Sequence, residues 1–440
     1  MRAFPQRLVV VAGYIVAALV FTWPLPLHLS THLTGDPGGD TGVYVWNQWV
    51  FHQELIEGHN PLSTGRILAL TDRVDLTQHN YTAFLNLLAL PLISPLGVVA
   101  AFNIVFLIAC VLNGVTMYGL ARRVTSATRI EAWLAGLCFA WSPVMLARTT
   151  GHYSLAAAAA LPAFMWCLSN AERSRSARDA ALVGLCMAWA ALSDAYFGIY
   201  CVMIALLYMG ALVVRIRRGE RTTSSAWIWP LDVAIVCLGG LIAGLSFGPG
   251  GEFTVFGIPV RMRSLYNPVL ALTVMVMLRI ALRWRPRISL SIRALGPIPV
   301  KAVLIAFAAC VGPLVPVLYG LTARVNEGRF VSPKIFWRSS PPGVDLLSFL
   351  TPNPLHPISK WLLGDPLAAA PTIYVEYTAS MSLVALVVIA LAMWRARYRP
   401  SAGWLVITIG FALLAMGPFI HVGGLNTHVP GPWALFRYLP

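Results

Sequence analysis

The 440 residues are 58% hydrophobic and only 11% charged, against about a quarter charged in an ordinary soluble domain. Several stretches run about 18 residues or more without a charge, enough for a helix to cross a hydrocarbon core, which excludes a soluble fold. The net charge of +15 does not point to nucleic acid, because the arginines sit in short clusters between apolar runs, as topology signals do.

The first apolar run follows a short basic region and ends at Trp23-Pro24-Leu25-Pro26. No small-x-small cleavage site follows, so it reads as an uncleaved first span. Further spans are predicted over 96–121, 130–147, 153–170, 180–193, 196–214, 226–246, 267–283, 300–321, 377–394 and 402–420, after the first at 8–24. The expected fold class is therefore an all-α integral membrane protein of about eleven transmembrane helices. Segment 81–93 is apolar but too short to span and contains Pro91, so it reads as a re-entrant or interfacial piece. The seven cysteines fall inside predicted spans with no metal spacing and read as packing residues.

Charge fixes an orientation. With the N-terminus in the cytoplasm, 21 of the 32 Lys and Arg residues lie on the cytoplasmic side, and the other face holds 11 basic against 12 acidic residues. Alternate loops then obey the positive-inside rule, as expected for a multi-pass protein of the inner (plasma) membrane. All nine histidines fall on the opposite, extracytoplasmic side. Two loops there are long, 25–81 and 322–376, and loops of that size usually carry function. The cytoplasmic loops hold no P-loop or dinucleotide-binding fingerprint, so ATP-driven transport by this chain is not expected. Residues 1–246 read as a core region and 247–440 as a C-terminal membrane region. The chain ends in a predicted loop just after a span, which reads as a piece of a longer protein.

The densest polar segment is Gly35-Asp36-Pro37-Gly38-Gly39-Asp40-Thr41-Gly42. Asp36 reads as a turn residue or cavity carboxylate. Asp40 precedes an aromatic segment, 43–55, that suits an interfacial helix. It is either that helix's N-cap, worth about 1 kcal/mol, or a catalytic carboxylate. His52 ends the aromatic stretch, and His59-Asn60-Pro61 forms a turn. Asp72, Asp75 and His79 lie within eight residues and offer either divalent-metal ligands or partners for sugar hydroxyls, with no recognised metal spacing. Arg148 and His152 cap the third and fourth spans. Asp194 sits at the interface between the fifth and sixth, where an unpaired carboxylate is costly. Arg261 and Arg263 are outward arginines suited to a lipid phosphate or to anionic lipid generally.

Taken together, Gly39-Asp40, the aromatic segment ending in His52, His59-Asn60-Pro61, Gln78-His79-Asn80, Gly151-His152-Tyr153-Ser154, Ser193-Asp194-Ala195-Tyr196, Leu350-Thr351-Pro352-Asn353-Pro354 and Gly417-Pro418 resemble segments of polytopic bacterial GT-C-type glycosyltransferase-like proteins. That resemblance implies transfer of a sugar from a polyprenyl-phosphate-linked donor to a glycan or protein acceptor on the extracytoplasmic face. It makes Asp40 the general base, with inversion at the anomeric carbon, and arginines or a divalent metal (Mg or Mn) as stabilisers of the departing phosphate. The chain departs from the family pattern in that no acidic residue neighbours Asp40. Two other readings stand beside it: a lipid or glycolipid transporter or flippase, and a non-catalytic GT-C-like membrane protein. Against transport, the only carboxylate placed clearly inside a predicted span is Asp232, and no inverted repeat is visible.

Overall fold

The computed structural model describes residues 6–35, 39–67, 72–219, 228–247, 251–255, 258–262, 264–291, 300–328, 342–352, 356–363, 375, 378–395, 397 and 399–434, with no side-chain description over 251–262. By contacts the chain forms two compact units. The first gathers Met1–Leu206, Pro297–Pro333 and Ser380–Ala396; the second gathers Leu207–Gly296, Lys334–Ala379 and Arg397–Pro440.

The first unit opens with α1 (Gln6–Phe21) and, after a 3₁₀ turn, α2 (Thr41–Ile56). Two short strands, β1 (Ser63–Thr64) and β2 (Val74–Asp75), pair antiparallel and lead to α3 (Ala83–Leu96). Then come α4 (Val98–Val124), α5 (Arg129–Ala140), α6 (Pro143–Arg148), α7 (Tyr153–Ala156), α8 (Ala160–Ser174), α9 (Ala177–Ser193) and α10 (Ala195–Val213). Local chemistry sets these ends. Thr128 Oγ1 accepts from the Glu131 amide while Glu131 accepts from the Thr128 amide, a capping box that starts α5. Ser142 caps α6 with Pro143 at its first position, which separates α6 from α5.

The core of this unit lies among α1, α3, α4 and the α7 turn, built on Ala18, Leu85, Ala101, Phe102, Val105, Phe106 and Tyr153. Close backbone approach, the usual basis of helix packing in lipid, recurs here. A Cβ on Gly136 of α5 would overlap the Tyr14 hydroxyl of α1 and the Gly114 carbonyl of α4. Tyr14 stacks on Trp133 at 5.5 Å and donates to its carbonyl at 2.9 Å. The remote helix α13 (Val300–Asn326) packs along α9, where Gly184 admits the Ala306 carbonyl.

In the second unit, β3 (Val214–Arg218) follows α10 directly; α11 (Ile228–Phe247), β4 (Gly251–Val255), β5 (Ile258–Met262), α12 (Tyr266–Trp284) and β6 (Pro286–Leu290) come next. β3 pairs with β6 and β4 with β5, both antiparallel. Asp232 and Arg279 form a two-pronged ion pair between α11 and α12, with Nη2 to Oδ2 at 3.0 Å. Helix α14 (Pro357–Leu363) belongs here, α15 (Leu383–Arg395) to the first unit, and α16 (Ala402–Ala415) to the second. The β7–β8 hairpin (Phe419–Val422, Leu425–Pro430) is pinned at its turn by Asp345, whose carboxylate accepts from the Gly423 and Gly424 amides at 3.1 and 2.8 Å.

The chain is thus a multi-pass membrane protein, but not one with eleven spanning helices on view. Among the described residues, 7 helices are long and apolar enough to cross: Val98–Val124, Arg129–Arg148, Tyr153–Ser174, Ala195–Val213, Ile228–Phe247, Tyr266–Trp284 and Val300–Asn326. The other four predicted spans are helices of 16, 17, 13 and 14 residues, shorter than the ~20 residues a bilayer core needs. The causes are local. α1 ends before the Pro24-containing turn, α9 ends where Asp194 turns extended, and α16 ends at Ala415, two residues before Gly417 (φ +73°) leads into β7.

Candidate functional site

Helix α2, expected to be interfacial, is gripped by protein. Tyr44, Asn47, Gln48, Phe51 and Glu54 follow helical spacing along its buried side, and Asn47, Gln48 and Glu54 are at most 1% exposed. Buried polar groups need partners, and here the rest of the loop and Tyr153 of α7 supply most of them. Asn47 Nδ2 donates to the Asn80 carbonyl at 2.9 Å, Gln48 Nε2 donates to the Tyr153 hydroxyl at 3.1 Å, and Glu54 accepts from Thr64 at 2.7 Å and Arg73 at 2.6 Å.

Beside α2 lies a cavity of about 780 Å³. The strap 76–83 forms one wall, the α9–α10 corner 191–196 another, and Val317 and Leu321 of α13 a third. Its polar lining includes His79, Asn80 and Asp194. The strap is anchored at two points. Asp75 forms an ion pair with Arg324 at the end of α13, which also donates to Gln78 Oε1 at 2.8 Å. The chain then reverses at Thr82, whose φ of 45° is a strained conformation for a β-branched residue.

A hydrogen-bonded network runs from the strap to α7. Asn80 Nδ2 donates to the Tyr44 hydroxyl at 2.8 Å and to Ser154 Oγ at 3.3 Å, and the two hydroxyls lie 3.1 Å apart. Burial raises the Tyr44 pKa above its ordinary value, and the charges of Asp40 and Asp194 add to the rise against the lowering effect of Ser154. Asp194 is 5% exposed and accepts from the Tyr196 amide at 2.8 Å. Asp40 occupies the N-cap position of α2, yet its carboxylate makes no cap hydrogen bond and the residue is exposed. His79 Nε2 lies 2.9 Å from Asn47 Oδ1. Because the Asn47 amide nitrogen already donates to Asn80, that oxygen is the acceptor and His79 Nε2 carries the proton. Desolvation lowers the His79 pKa, so Nδ1 offers a lone pair at neutral pH.

The remaining predicted residues distribute as follows. Arg148 Nη1 and His152 Nδ1 are 2.9 Å apart, and their loop adjoins the first one, since a Cβ on Gly35 would meet the Thr150 carbonyl. His52 is buried and its Nε2 lies 3.0 Å from Ser94 Oγ; it is not among the cavity's lining residues. Asn60 accepts from the Leu62 amide at 3.0 Å, closing its turn. Arg261 falls in β5, in register with Glu252 of β4. Asp36 and Arg263 lie outside the described residues.

Asp72, Asp75 and His79 are not assembled as a ligand set; among the described residues the carboxylate–imidazole group is Glu54, Glu57 and His59. His59 Nδ1 lies 3.2 Å from Glu54 and 3.5 Å from Glu57. These donors do not fit a metal. Glu54 is committed to Arg73 and Thr64, with Arg66 at 3.6 Å, and a cation would have to displace a guanidinium. Burial pushes the Glu54 carboxyl up, but the Arg73 and Thr64 hydrogen bonds and the charges of Arg73 and Arg66 outweigh it, so its pKa falls below the ordinary value. Asp75 behaves likewise: Thr77 and Arg324 outweigh burial. Sequence reasoning passed over Tyr44, Glu54, Arg73, Ser154 and Arg324. Charges inside a loop otherwise rich in aromatics were the one signal for Glu54 and Arg73; nothing local marks Arg324.

No curated protein matches the sequence. Among solved structures, the archaeal oligosaccharyltransferase AglB from Archaeoglobus fulgidus, in complex with an inhibitory peptide and a dolichol-phosphate, is similar over 93% of this chain and 54% of its own, at 16% identity and a TM-score of 0.37. The chain thus spans about half the length of that protein. A family model described as a domain of unknown function, DUF6311, matches residues 10–281, more than half of the 440 residues. This multi-pass membrane protein belongs to the DUF6311 family.

Proposed function

We propose that the chain is a membrane glycosyltransferase that moves a sugar from a polyprenyl-phosphate donor to a glycan or protein acceptor, with Asp40 as general base. The observation that carries this reading is Asp40 itself. It stands at a helix N-terminus without capping it, and its charge and that of Asp194 both bear on Tyr44, within the Tyr44–Asn80–Ser154 network. In this reading the Asp40 carboxylate takes the proton of the acceptor hydroxyl as that oxygen attacks the anomeric carbon. The bond from that carbon to the lipid phosphate breaks on the opposite side, so configuration inverts and the polyprenyl phosphate leaves with the electron pair. His79, Asn80 and Asp194 provide donors and acceptors for sugar hydroxyls, and Arg148 provides positive charge for the phosphate. Arg261 and Arg263 are a second cationic candidate for that phosphate. The resemblance of the loop motifs to GT-C-type proteins supports the same reading, as does the predicted orientation, which puts this loop on the extracytoplasmic side of the inner membrane.

The test is transfer from a panel of polyprenyl-phosphate sugars by purified protein. Asp40→Asn should lower transfer by about 100-fold or more, the usual contribution of a positioned base, with thermal stability unchanged. Undiminished transfer would leave Asp40 without a catalytic role. Labelled lipid crossing a liposome bilayer with no glycosyl transfer would favour the transporter reading.

A further inference from the structure

The β3–β6 ribbon joins two arginine-rich segments more than 65 residues apart. Its register is Val214 with Leu290, Arg215 with Ser289, Ile216 with Ile288, Arg217 with Arg287 and Arg218 with Pro286. Residues directly opposite in an antiparallel pair share a face, and alternate residues take opposite faces. One face therefore carries Val214, Ile216, Ile288 and Leu290, with Arg218 and Pro286 at its end, and the other carries Arg215, Arg217, Arg287 and Ser289.

Among the described residues, neither face has a protein partner to explain it. The four apolar residues are 37%, 53%, 66% and 67% exposed. On the other face, Arg217 stands directly opposite Arg287, a like-charge juxtaposition that destabilises an antiparallel pair unless a counter-charge is present. Among the described residues, no carboxylate pairs with Arg215, Arg217 or Arg287. A two-stranded ribbon is marginal in water by itself, so an amphipathic one needs an environment that suits both faces.

Position supplies that environment. β3 follows the last residue of α10, and β6 begins two residues after the end of α12; both helices are long and apolar enough to cross a membrane. Arg285 makes the bend out of α12 in a left-handed conformation, φ 48°. The ribbon is thereby tied at both ends to helix termini at the bilayer boundary.

We propose that the β3–β6 ribbon is a membrane-surface anchor that binds anionic phospholipid, with Val214, Ile216, Ile288 and Leu290 seated at the acyl boundary and Arg215, Arg217 and Arg287 on the headgroup phosphates. Guanidinium groups pair with phosphate oxygens through two parallel hydrogen bonds, and anionic lipid bridging Arg217 and Arg287 removes their mutual repulsion. The proposal does not depend on the sugar-transfer reading.

The experiment uses the full chain in a cysteine-free background, in liposomes of phosphatidylglycerol and phosphatidylcholine. A nitroxide is placed at Ile288 or, separately, at Ser289. Collision with dissolved oxygen should dominate at Ile288, and collision with a water-soluble nickel chelate at Ser289. Equal aqueous exposure at both positions overturns the proposal and points to a soluble acidic partner. In detergent, retention of phosphatidylglycerol over phosphatidylcholine is measured for the wild type, R215Q/R217Q/R287Q and R215K/R217K/R287K. The glutamine triple should lose on the order of 100-fold in affinity and the lysine triple no more than about tenfold. Wild-type affinity in the glutamine triple also overturns it. The nitroxide pair carries the test even if that triple does not fold.

Discussion

Glu54 is as deeply buried as the core leucines of its unit, and two guanidinium groups keep it there. Arg73→Ala would leave that carboxylate short of a charged hydrogen bond, and the expected loss is about 2 kcal/mol, read as a lower melting temperature in detergent. Since the folded-state pKa of Glu54 is depressed, its contribution is present above the ordinary carboxylate range and disappears as the pH falls through the lowered value. Proteolytic nicking of 57–67 should therefore stay slow at about pH 5 and accelerate only in stronger acid, whereas Arg73→Ala should be nicked readily throughout; equal nicking of the two would remove the anchoring role. At this scale the sequence showed residue types and not partners. It marked Asp40, His79 and Asp194 as polar groups in or beside long or interfacial loops, and the structure puts His79 and Asp194 on one cavity. It also grouped Asp72, Asp75 and His79 by nearness in the chain. The structure separates them, because Asp75 finds its ion-pair partner in Arg324, 249 residues on.

Among the elements, α13 closes the cavity. It packs along α9 at Gly184, and Arg324 at its end holds the strap through Asp75 and Gln78. Arg324→Ala should release that end of the strap, raising amide exchange over 74–80 by about 10- to 100-fold while α4 and α8 stay protected. Unchanged exchange in the strap would mean that packing alone holds it. Apolar length makes most helices legible in the sequence. Their ends are less so, because a span predicted from hydropathy runs on until a charge appears, whereas α16 stops earlier, where Gly417 takes a positive φ. Strands inside the arginine clusters were illegible. Each half of the β3–β6 ribbon looks like a charged loop until its partner is known.

For the molecule as a whole, interleaving is the main departure from a left-to-right reading. The two compact units each draw on three separated stretches of the chain. Orientation is a whole-chain property, and charge distribution offers it as an expectation. Single cysteines at positions 59 and 218, in a cysteine-free background, test it. An impermeant maleimide should modify position 59 in intact cells and position 218 only after permeabilisation. The reverse pattern would invert the assignment and place the Tyr44 network on the cytoplasmic side. Hydropathy made the membrane class legible, but helix lengths required the backbone itself.

The seat of Tyr14 against Gly136 and Gly114 bears on how the chain is made. α1 leaves the ribosome before α4 and α5, yet the surfaces that receive its tyrosine belong to those two helices, about 100 residues later. Until they arrive, Tyr14 lacks the seat that α4 and α5 give it, and the 16 residues of α1 span a bilayer poorly. The helix must therefore wait, incompletely housed, until later ones complete its berth.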